Sequence, residues 1–218
     1  MKLKDFFEWV IDFNYKRGWD LIPVSMAFVH LSEELGELAE IVVKFNLGQI
    51  NEVDAKNEIA GEAADAMILV IKLAQVCRVD LLTHLATQEN IYEFTVSNNY
   101  SGGKLDAEFA VIIENLVKCL GELARHVNFV EKFKDPKKRT NVQHPLVVEL
   151  AIMFKLLLDI AKFCDVDLNK TIRMKMEKIA KRFDPSMALG ETKSYLVHSV
   201  DSTEKNLTEF QVRFEGAE

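Results

Sequence analysis

The sequence contains few of the residues that interrupt helices, with nine Gly and four Pro in 218 positions. This scarcity argues against a turn-dense all-β sandwich and against a collagen-like or low-complexity chain. Cysteine is also scarce, because only Cys77, Cys119 and Cys164 are present, far apart and without a CxxC pair. Neither a disulfide framework nor a structural zinc site is indicated, so we expect a helical protein of a reducing compartment.

An excess of positive charge and long apolar runs are missing as well. The chain has 27 basic and 34 acidic residues and a net charge of -7, so no overall positive field would attract a nucleic-acid backbone. No apolar run reaches about 18 residues, and the first 20 residues contain aromatic and acidic side chains where a signal peptide is apolar. The sequence therefore predicts a soluble, cytoplasmic protein without a nucleic-acid partner or a membrane segment.

Apolar residues recur at the three- and four-residue spacing of helices along most of the chain. This spacing predicts helices at 4–16, 24–44, 52–77 and 80–94, and again at 106–133, 145–163 and 167–183. A polar stretch with two glycines, 97–103, separates the two groups, and a basic loop is predicted at 134–139. In the tail, β-prone runs at 194–200 and 208–214 predict a short hairpin or an irregular segment that wraps the bundle.

Two ordered matches indicate an internal repeat. The sequence LGELA at 35–39 recurs unchanged at 120–124, and 74–81 is similar to 161–168, at offsets of 85 and 87 residues. We therefore predict an all-α fold of two four-helix units, packed as an intrachain pseudo-dimer, with a further homodimer of whole chains conceivable. The expected boundaries are 1–95 for the first unit, 96–105 for the linker, 106–184 for the second unit and 185–218 for the tail.

Two predicted helices place carboxylates where apolar side chains belong. With Leu31 at the centre of the apolar stripe of the second helix, Glu34 lies about 60° away and Glu37 lies at the edge of the stripe. The third helix is apolar almost all round in its second half, yet Glu62 and Asp65 share a side with its leucines. Clustered carboxylates in an apolar setting are costly, so a cation is expected among them.

The usual interpretation of acidic residues on a helix is a solvated face, and it suits Glu33 and Glu40, which point away from the stripe. It does not suit the inward-facing pairs, so metal binding is the sharper hypothesis. Ligands that offer only oxygen favour Mg²⁺ or Mn²⁺. A di-iron bundle would show Glu-x-x-His, which is missing here, and ordinary surface or capping roles are predicted for the five histidines.

The acidic residues also form an ordered pattern, EELGE at 33–37 followed by EAAD at 62–65. This pattern resembles the EExxE…ExxD signature of the MazG-like, all-α nucleoside triphosphate pyrophosphohydrolases, and the similarity covers roughly residues 1–93. The resemblance implies a nucleoside triphosphate substrate that is cleaved to a monophosphate and pyrophosphate, as in nucleotide-pool house-cleaning. It also implies Mg²⁺, or Mn²⁺, bound by Glu34, Glu37, Glu62 and Asp65, with Glu33 assisting the metal or the attacking water.

The second half differs from the family pattern in its acidic motif. At the repeat offset, the five acidic positions become Lys118, Cys119, Glu122, Glu149 and Ile152. In contrast, Lys175, Lys178 and Arg182 stand where the family has phosphate-binding cations, which the first half lacks. We therefore predict one composite site, with metal ligands from the first half and cations from the second. A solvated basic face is the alternative interpretation of these three residues.

Trp19 resembles the aromatic residue that contacts the base in this family, and a packing tryptophan at the end of the first helix is the alternative. The sequence does not specify a base. A dimeric-type dUTPase, which would also hydrolyse dUDP, is the nearest enzymatic alternative, and phosphoribosyl-ATP hydrolysis is disfavoured. Because the second acidic motif has decayed, a nucleotide-sensing or scaffolding bundle without turnover is the alternative from another class of protein.

Overall fold

In the computed structural model, the described residues are 1–88, 105, 107–132, 136–198 and 204–215. Every regular element in these ranges is helical, which confirms the all-α prediction. The helices are α1 Leu3–Tyr15, α2 Val24–Asn46, α3 Glu52–Cys77, α4 Leu81–Gln88, α5 Ala107–Lys132, α6 Pro136–Phe163, α7 Leu168–Arg182, α8 Pro185–His198 and α9 Glu204–Phe210, which continues as the π-helical turn Gln211–Glu215. Within the described ranges, none of these helices has the length and apolar character needed to cross a bilayer.

The repeated segment at 74–81 and 161–168 has the same local geometry in both halves. Each copy ends a long helix in a left-handed residue, Arg78 with φ +59° and Asp165 with φ +55°. Each then continues to an aspartate that caps the next turn, because Asp80 accepts a bond of 3.0 Å from the Thr83 N–H and Asp167 one of 3.0 Å from the Lys170 N–H. The sequence match therefore corresponds to a repeated turn between helices.

Both halves share one hydrophobic core, and α3 lies at its centre. Helix α3 packs against α1, α2, α6 and α7, and its fully buried alanines, among them Ala60, Ala63 and Ala64, allow these neighbours to approach closely. The LGELA match places Leu38 and Leu123 in this core at 1% and 0% exposure. Replacing either leucine with alanine should cost about 2–5 kcal/mol, so the repeat contributes strongly to stability.

The described residues of the second half form three helices, α5 to α7. The counterpart of α1 would fall mostly on residues outside the described ranges, as does most of the predicted linker 96–105. The prediction of a basic loop at 134–139 is wrong from residue 136 onward, because α6 begins at Pro136 and continues through Pro145. Pro136 suits the first helical position, where the missing N–H has no partner to lose.

The predicted hairpin in the tail is also wrong. Residues 194–198 form the last turn of α8, and residues 208–214 lie in α9 and the π-helical turn. One apolar side chain of each segment is buried at a helical position, since Leu196 and Phe210 pack with Leu21 in a small second cluster. This tertiary burial outweighs the local preference of the β-branched and aromatic residues for strands.

The tail packs on the loop that connects α1 and α2. The Thr192 hydroxyl donates a bond of 2.9 Å to the carbonyl oxygen of Arg17, and Arg213 binds both carboxylate oxygens of Asp20 at 2.9 Å. Trp19 lies between these two attachment points in the chain. The tail therefore positions a segment that belongs to the candidate site.

Candidate functional site

A cavity of about 450 Å³ lies between α1, α2, α3, α7 and α8. It brings together side chains from both halves of the chain, as the composite-site prediction requires. The predicted site residues that line it are Trp19, Glu33, Glu34, Glu37, Asp65, Lys175, Lys178 and Arg182. The remaining predicted residue, Glu62, lies beside the cavity with its Oε1 atom 3.6 Å from the Lys175 Nζ atom.

Three carboxylates converge at one end of the cavity, which we call the acidic end. Glu34 from α2 and Glu62 and Asp65 from α3 each offer an oxygen within 4.8 Å of the others, and all three side chains are partly buried. Glu33 and Glu37 are more exposed and lie outside this close group. The Oδ1 atom of Asp65 is buried and has no hydrogen-bond partner among the described residues, so it remains available to a cation.

Lys175 of α7 provides a positive charge within this group. Its ammonium donates to Asp65 and lies close to Glu62, and its side chain is only 16% exposed. The stem of Lys175 crosses Gly61, where a Cβ atom would lie 3.3 Å from the Lys175 Cε atom. The cation expected among the carboxylates is therefore, in this structure, a lysine from the second half.

The charges at the acidic end do not balance, and the pKa values reflect this. Burial raises the pKa of Glu34 to about 8, and the charges of Asp65, Glu62 and Glu37 add to the rise. Burial also raises the pKa of Asp65, although the bond from Lys175 opposes it. Burial acts to lower the pKa of Lys175, but its bond to Asp65 and the surrounding carboxylates outweigh burial and raise that pKa. One ammonium leaves the three carboxylates with excess negative charge.

The acidic end fits a small divalent cation. Mg²⁺ binds oxygen ligands at about 2.1 Å, so oxygens on opposite sides of the ion lie about 4.2 Å apart. The oxygens of Glu34, Glu62 and Asp65, within 4.8 Å of one another, reach this geometry with small side-chain adjustments. The unpartnered Oδ1 atom of Asp65 adds a free ligand atom. These three residues are the ones that could hold a metal ion.

Aromatic rings form the opposite end of the cavity, which we call the aromatic end. Trp19 contacts Phe13 and Phe183 edge to face, with ring centroids 5.6 Å and 5.2 Å away. Arg17 holds this arrangement together, since its guanidinium donates to the carbonyl oxygens of Phe13 at 3.1 Å and Phe183 at 2.7 Å. Trp19 thus packs against its neighbours, as the packing interpretation expects, and also lines the cavity.

Lys178 and Arg182 extend the basic side of the cavity from the acidic end toward the aromatic end. The charge of Lys178 is near enough to Asp65 to oppose the rise in its pKa. The Arg182 guanidinium lies 5.0 Å from the centre of the Phe183 ring, two helical turns after Lys175. Of the three predicted cations, Lys175 contacts the carboxylates and the other two are exposed along the same cavity.

Lys72 and His30 are among the residues of this cavity that sequence reasoning missed. Burial lowers the pKa of Lys72 to about 8, and burial together with the charge of Lys72 lowers the pKa of His30. His30 is half-buried and lines the cavity, whereas an ordinary surface or capping role was predicted for it. Two signals were present, since Lys72 is the one charged residue in the apolar stretch after Asp65, and His30 precedes Glu34 by one helical turn.

The equivalent positions in the second half form a different arrangement. The Cys119 thiol donates to the carbonyl oxygen of Glu149 at 3.3 Å and to its side chain at 3.5 Å. Burial raises the pKa of Cys119 to about 12, and the charge of Glu149 adds to this, so the thiol stays neutral. Over the described part of the chain, no second group of three acidic or metal-binding side chains comes as close together as Glu34, Glu62 and Asp65.

The chain matches no protein-family model, no curated protein and no solved structure. The resemblance to MazG-like enzymes thus depends on the motifs at 33–37 and 62–65 and on the segments that flank them. Because a fold class does not by itself imply a function, the function has to be argued from the geometry of this cavity.

Proposed function

We propose that this protein is a Mg²⁺-dependent nucleoside triphosphate pyrophosphohydrolase of the MazG-like type, which cleaves (deoxy)nucleoside triphosphates to monophosphates and pyrophosphate. The observation that carries the proposal is a single cavity with carboxylates of α2 and α3, cations of α7 and an aromatic end. Phosphoryl transfer requires positioning and charge stabilisation more than covalent help from the protein. The phosphates and the base of a nucleotide therefore each have a matching group in this cavity.

In this proposal, Glu34, Glu62 and Asp65 hold the metal ion, with Mn²⁺ as the other candidate and Glu37 at its edge. Bound Mg²⁺ would neutralise phosphate charge and make water a better nucleophile near neutral pH. Glu33, exposed at the cavity, accepts a proton from the water that attacks the α-phosphorus. The bond from the α-phosphorus to the bridging oxygen then breaks, and pyrophosphate leaves with that oxygen.

The cations of α7 receive the phosphates in this scheme. Lys175 contributes the most buried of these charges, and it is paired with Asp65 and Glu62 in the structure. When a metal ion compensates those carboxylates, the ammonium becomes free to donate to a phosphate oxygen. Lys178 and Arg182 line the same side of the cavity. They bind the pyrophosphate that leaves, Lys178 as a compact charge and Arg182 through its forked guanidinium.

Reciprocal packing supports the tandem pseudo-dimer that we propose for the two halves. Helix α2 packs on α3, and their counterparts α5 and α6 pack on each other in the same way. Helix α3 also packs on α7, and the counterparts of these two helices, α6 and α4, pack on each other. The pairs α3–α6 and α2–α5 join each helix to its own counterpart, as a pseudo-twofold axis requires. The cytoplasmic location belongs to the same proposal, and it is compatible with three buried cysteines, all within the described ranges, that form no disulfide.

One observation favours a second candidate function, a bundle that binds nucleotides without hydrolysing them. The Lys175 ammonium already lies among the carboxylates, which reduces the electrostatic need for a metal ion. A dimeric-type dUTPase is a variant of the first proposal, with uracil as the base and dUDP as an additional substrate.

Pyrophosphate release from a panel of ribo- and deoxynucleoside triphosphates, with dUDP included and with Mg²⁺, tests these functions. We expect the wild-type protein to release pyrophosphate and the Glu34→Gln variant to be slower by roughly 100-fold, because a metal ligand is lost. Glu149→Gln is the matched control, since Glu149 is the counterpart of Glu62 and pairs with Cys119 instead of lining the cavity.

The outcomes of this panel separate the candidates. Phosphate release from dUDP would identify the dUTPase variant. Nucleotide binding without any release of pyrophosphate would support the non-catalytic bundle. Equal rates for wild type and Glu34→Gln would contradict a role of the acidic end in catalysis.

A further inference from the structure

Lys72 is a buried cation whose hydrogen-bonding capacity is unused by the protein. Its side chain lines the cavity and is only 4% exposed. Among the described residues its ammonium makes no hydrogen bond or ion pair, and its partner is the ring of Trp19, whose centre lies 4.4 Å from Nζ. An ammonium has three donors, and burying them unpaired is costly. Lys72 can therefore donate to a molecule that enters the cavity.

The position of Lys72 shows which part of a nucleotide it would meet. Lys72 follows Asp65 by seven residues on α3, which places it about 10 Å further along the helix axis. The carboxylates and Lys175 lie at the acidic end, whereas Trp19 and Lys72 lie at the aromatic end. A nucleotide bound as in the proposed function, with its phosphates at the acidic end, extends its base toward Lys72.

We infer that Lys72 selects the base of the bound nucleotide by donating a hydrogen bond to a ring carbonyl oxygen. A lysine ammonium has only donors, so the group that it recognises must be an acceptor. Uracil, thymine, cytosine and guanine each have a carbonyl oxygen, whereas the adenine acceptors N1 and N7 both flank an amino group whose hydrogens repel an ammonium. The cavity therefore favours a carbonyl-bearing base over adenine. Trp19 is a positioning residue for this contact, because its ring holds the ammonium by a cation–π interaction.

This inference depends on the proposed orientation of the nucleotide but does not require hydrolysis. Equilibrium binding of the five monophosphates dUMP, dTMP, dCMP, dGMP and dAMP, measured by calorimetry with the full chain and Mg²⁺, therefore tests it separately. We expect the tightest ligand to have a carbonyl-bearing base and dAMP to bind at least about tenfold more weakly, as a hydrogen bond from a charged donor provides. In Lys72→Met, the ratio of the dissociation constant of dAMP to that of the tightest ligand should fall to about one.

The choice of variants keeps loss of folding distinct from loss of recognition. Methionine retains most of the lysine stem, and thermal unfolding of Lys72→Met shows whether the bundle is intact. If that variant does not fold, Lys72→Gln replaces the charge with a neutral donor and should lose part of the discrimination. Lys56→Met is the control on the same helix, since Lys56 pairs with Glu52 at 2.9 Å and does not line this cavity.

Three results would overturn the inference. These are tightest binding of dAMP, no binding of any monophosphate by wild type, and an unchanged ratio in Lys72→Met, which includes equal weakening of all five ligands as expected for a phosphate contact. Loss of discrimination in a protein that releases no pyrophosphate would support the role of Lys72 and contradict the pyrophosphohydrolase. Pyrophosphate release by the wild type, together with base discrimination that is the same in wild type and Lys72→Met, would support the pyrophosphohydrolase and contradict the role of Lys72.

Discussion

Neutralising Glu34 should stabilise the protein without metal, by an amount that grows as the pH rises from about 4.5 to about 8. Burial and the neighbouring carboxylates raise the pKa of Glu34 from 4.5 to about 8. Between these values the native state keeps a proton that the unfolded chain has released, so the free energy of unfolding falls as the pH rises. A glutamine at this position has no proton to lose and removes this dependence.

The size of the effect follows from the same numbers. The pKa of Glu34 differs between 4.5 in the unfolded chain and about 8 in the native state. At 1.36 kcal/mol per pH unit, this difference corresponds to a change of about 5 kcal/mol in the free energy of unfolding. Because solvent reaches this half-buried side chain and screens the repulsion, we expect about 2 kcal/mol. For a chain of this length, that raises the Tm of Glu34→Gln above wild type by about 4–8 °C.

The assay is thermal unfolding with a chelator at about pH 5 and about pH 8.5. The Tm difference between Glu34→Gln and wild type should be close to zero at the lower pH and reach its full size at the higher pH. Saturating Mg²⁺ at the higher pH should then raise the Tm of wild type more than that of the variant. Glu40→Gln is the control, because Glu40 is exposed on the same helix and pairs with Lys44 at 2.8 Å. The same Tm difference at both pH values would refute the reasoning.

Two further predictions concern stability. Lys175→Met leaves Asp65 without its cation and should lower the free energy of unfolding by about 2–3 kcal/mol in urea at neutral pH, since the pair is largely buried. This loss should shrink on acidification, and an equal loss at low pH would point to packing instead. Gly18→Ala should cost about 1–2 kcal/mol more than Gly48→Ala, because both have φ +67° but only at Gly18 would a Cβ atom meet Phe210, at 3.1 Å. Equal Tm values for the two glycine variants would contradict this.

The sequence predicted most helices well because their signals are local. Helix α3 has the predicted bounds, and its first turn is capped by Asn51, whose side chain accepts from the Asp54 N–H at 3.0 Å. The convergence of Glu34 with Asp65 was also predictable, since carboxylates on the apolar sides of adjacent helices must face each other. Lys175 was assigned to the same site because, once the repeat offset is applied, it stands where the resemblance implies a phosphate-binding cation.

The missed features depend on contacts between distant segments. The tail is helical because Phe210 becomes buried against Gly18, and no local pattern reports that contact. Lys72 was taken as part of an apolar stretch, because periodicity cannot show that the ring of Trp19 lies over its ammonium. His30 has no motif around it, so its place in the cavity emerges only from the packing of α2 on α3.

The pairing of Lys175 with Asp65 joins residues 110 positions apart, which has a consequence for biosynthesis. At about 5–20 residues per second, a ribosome adds Lys175 roughly 5–20 s after Asp65. Until then the first half cannot form the pairs of Lys175 with Asp65 and Glu62. We therefore expect the docking of α7 on α3 to be a late event of translation.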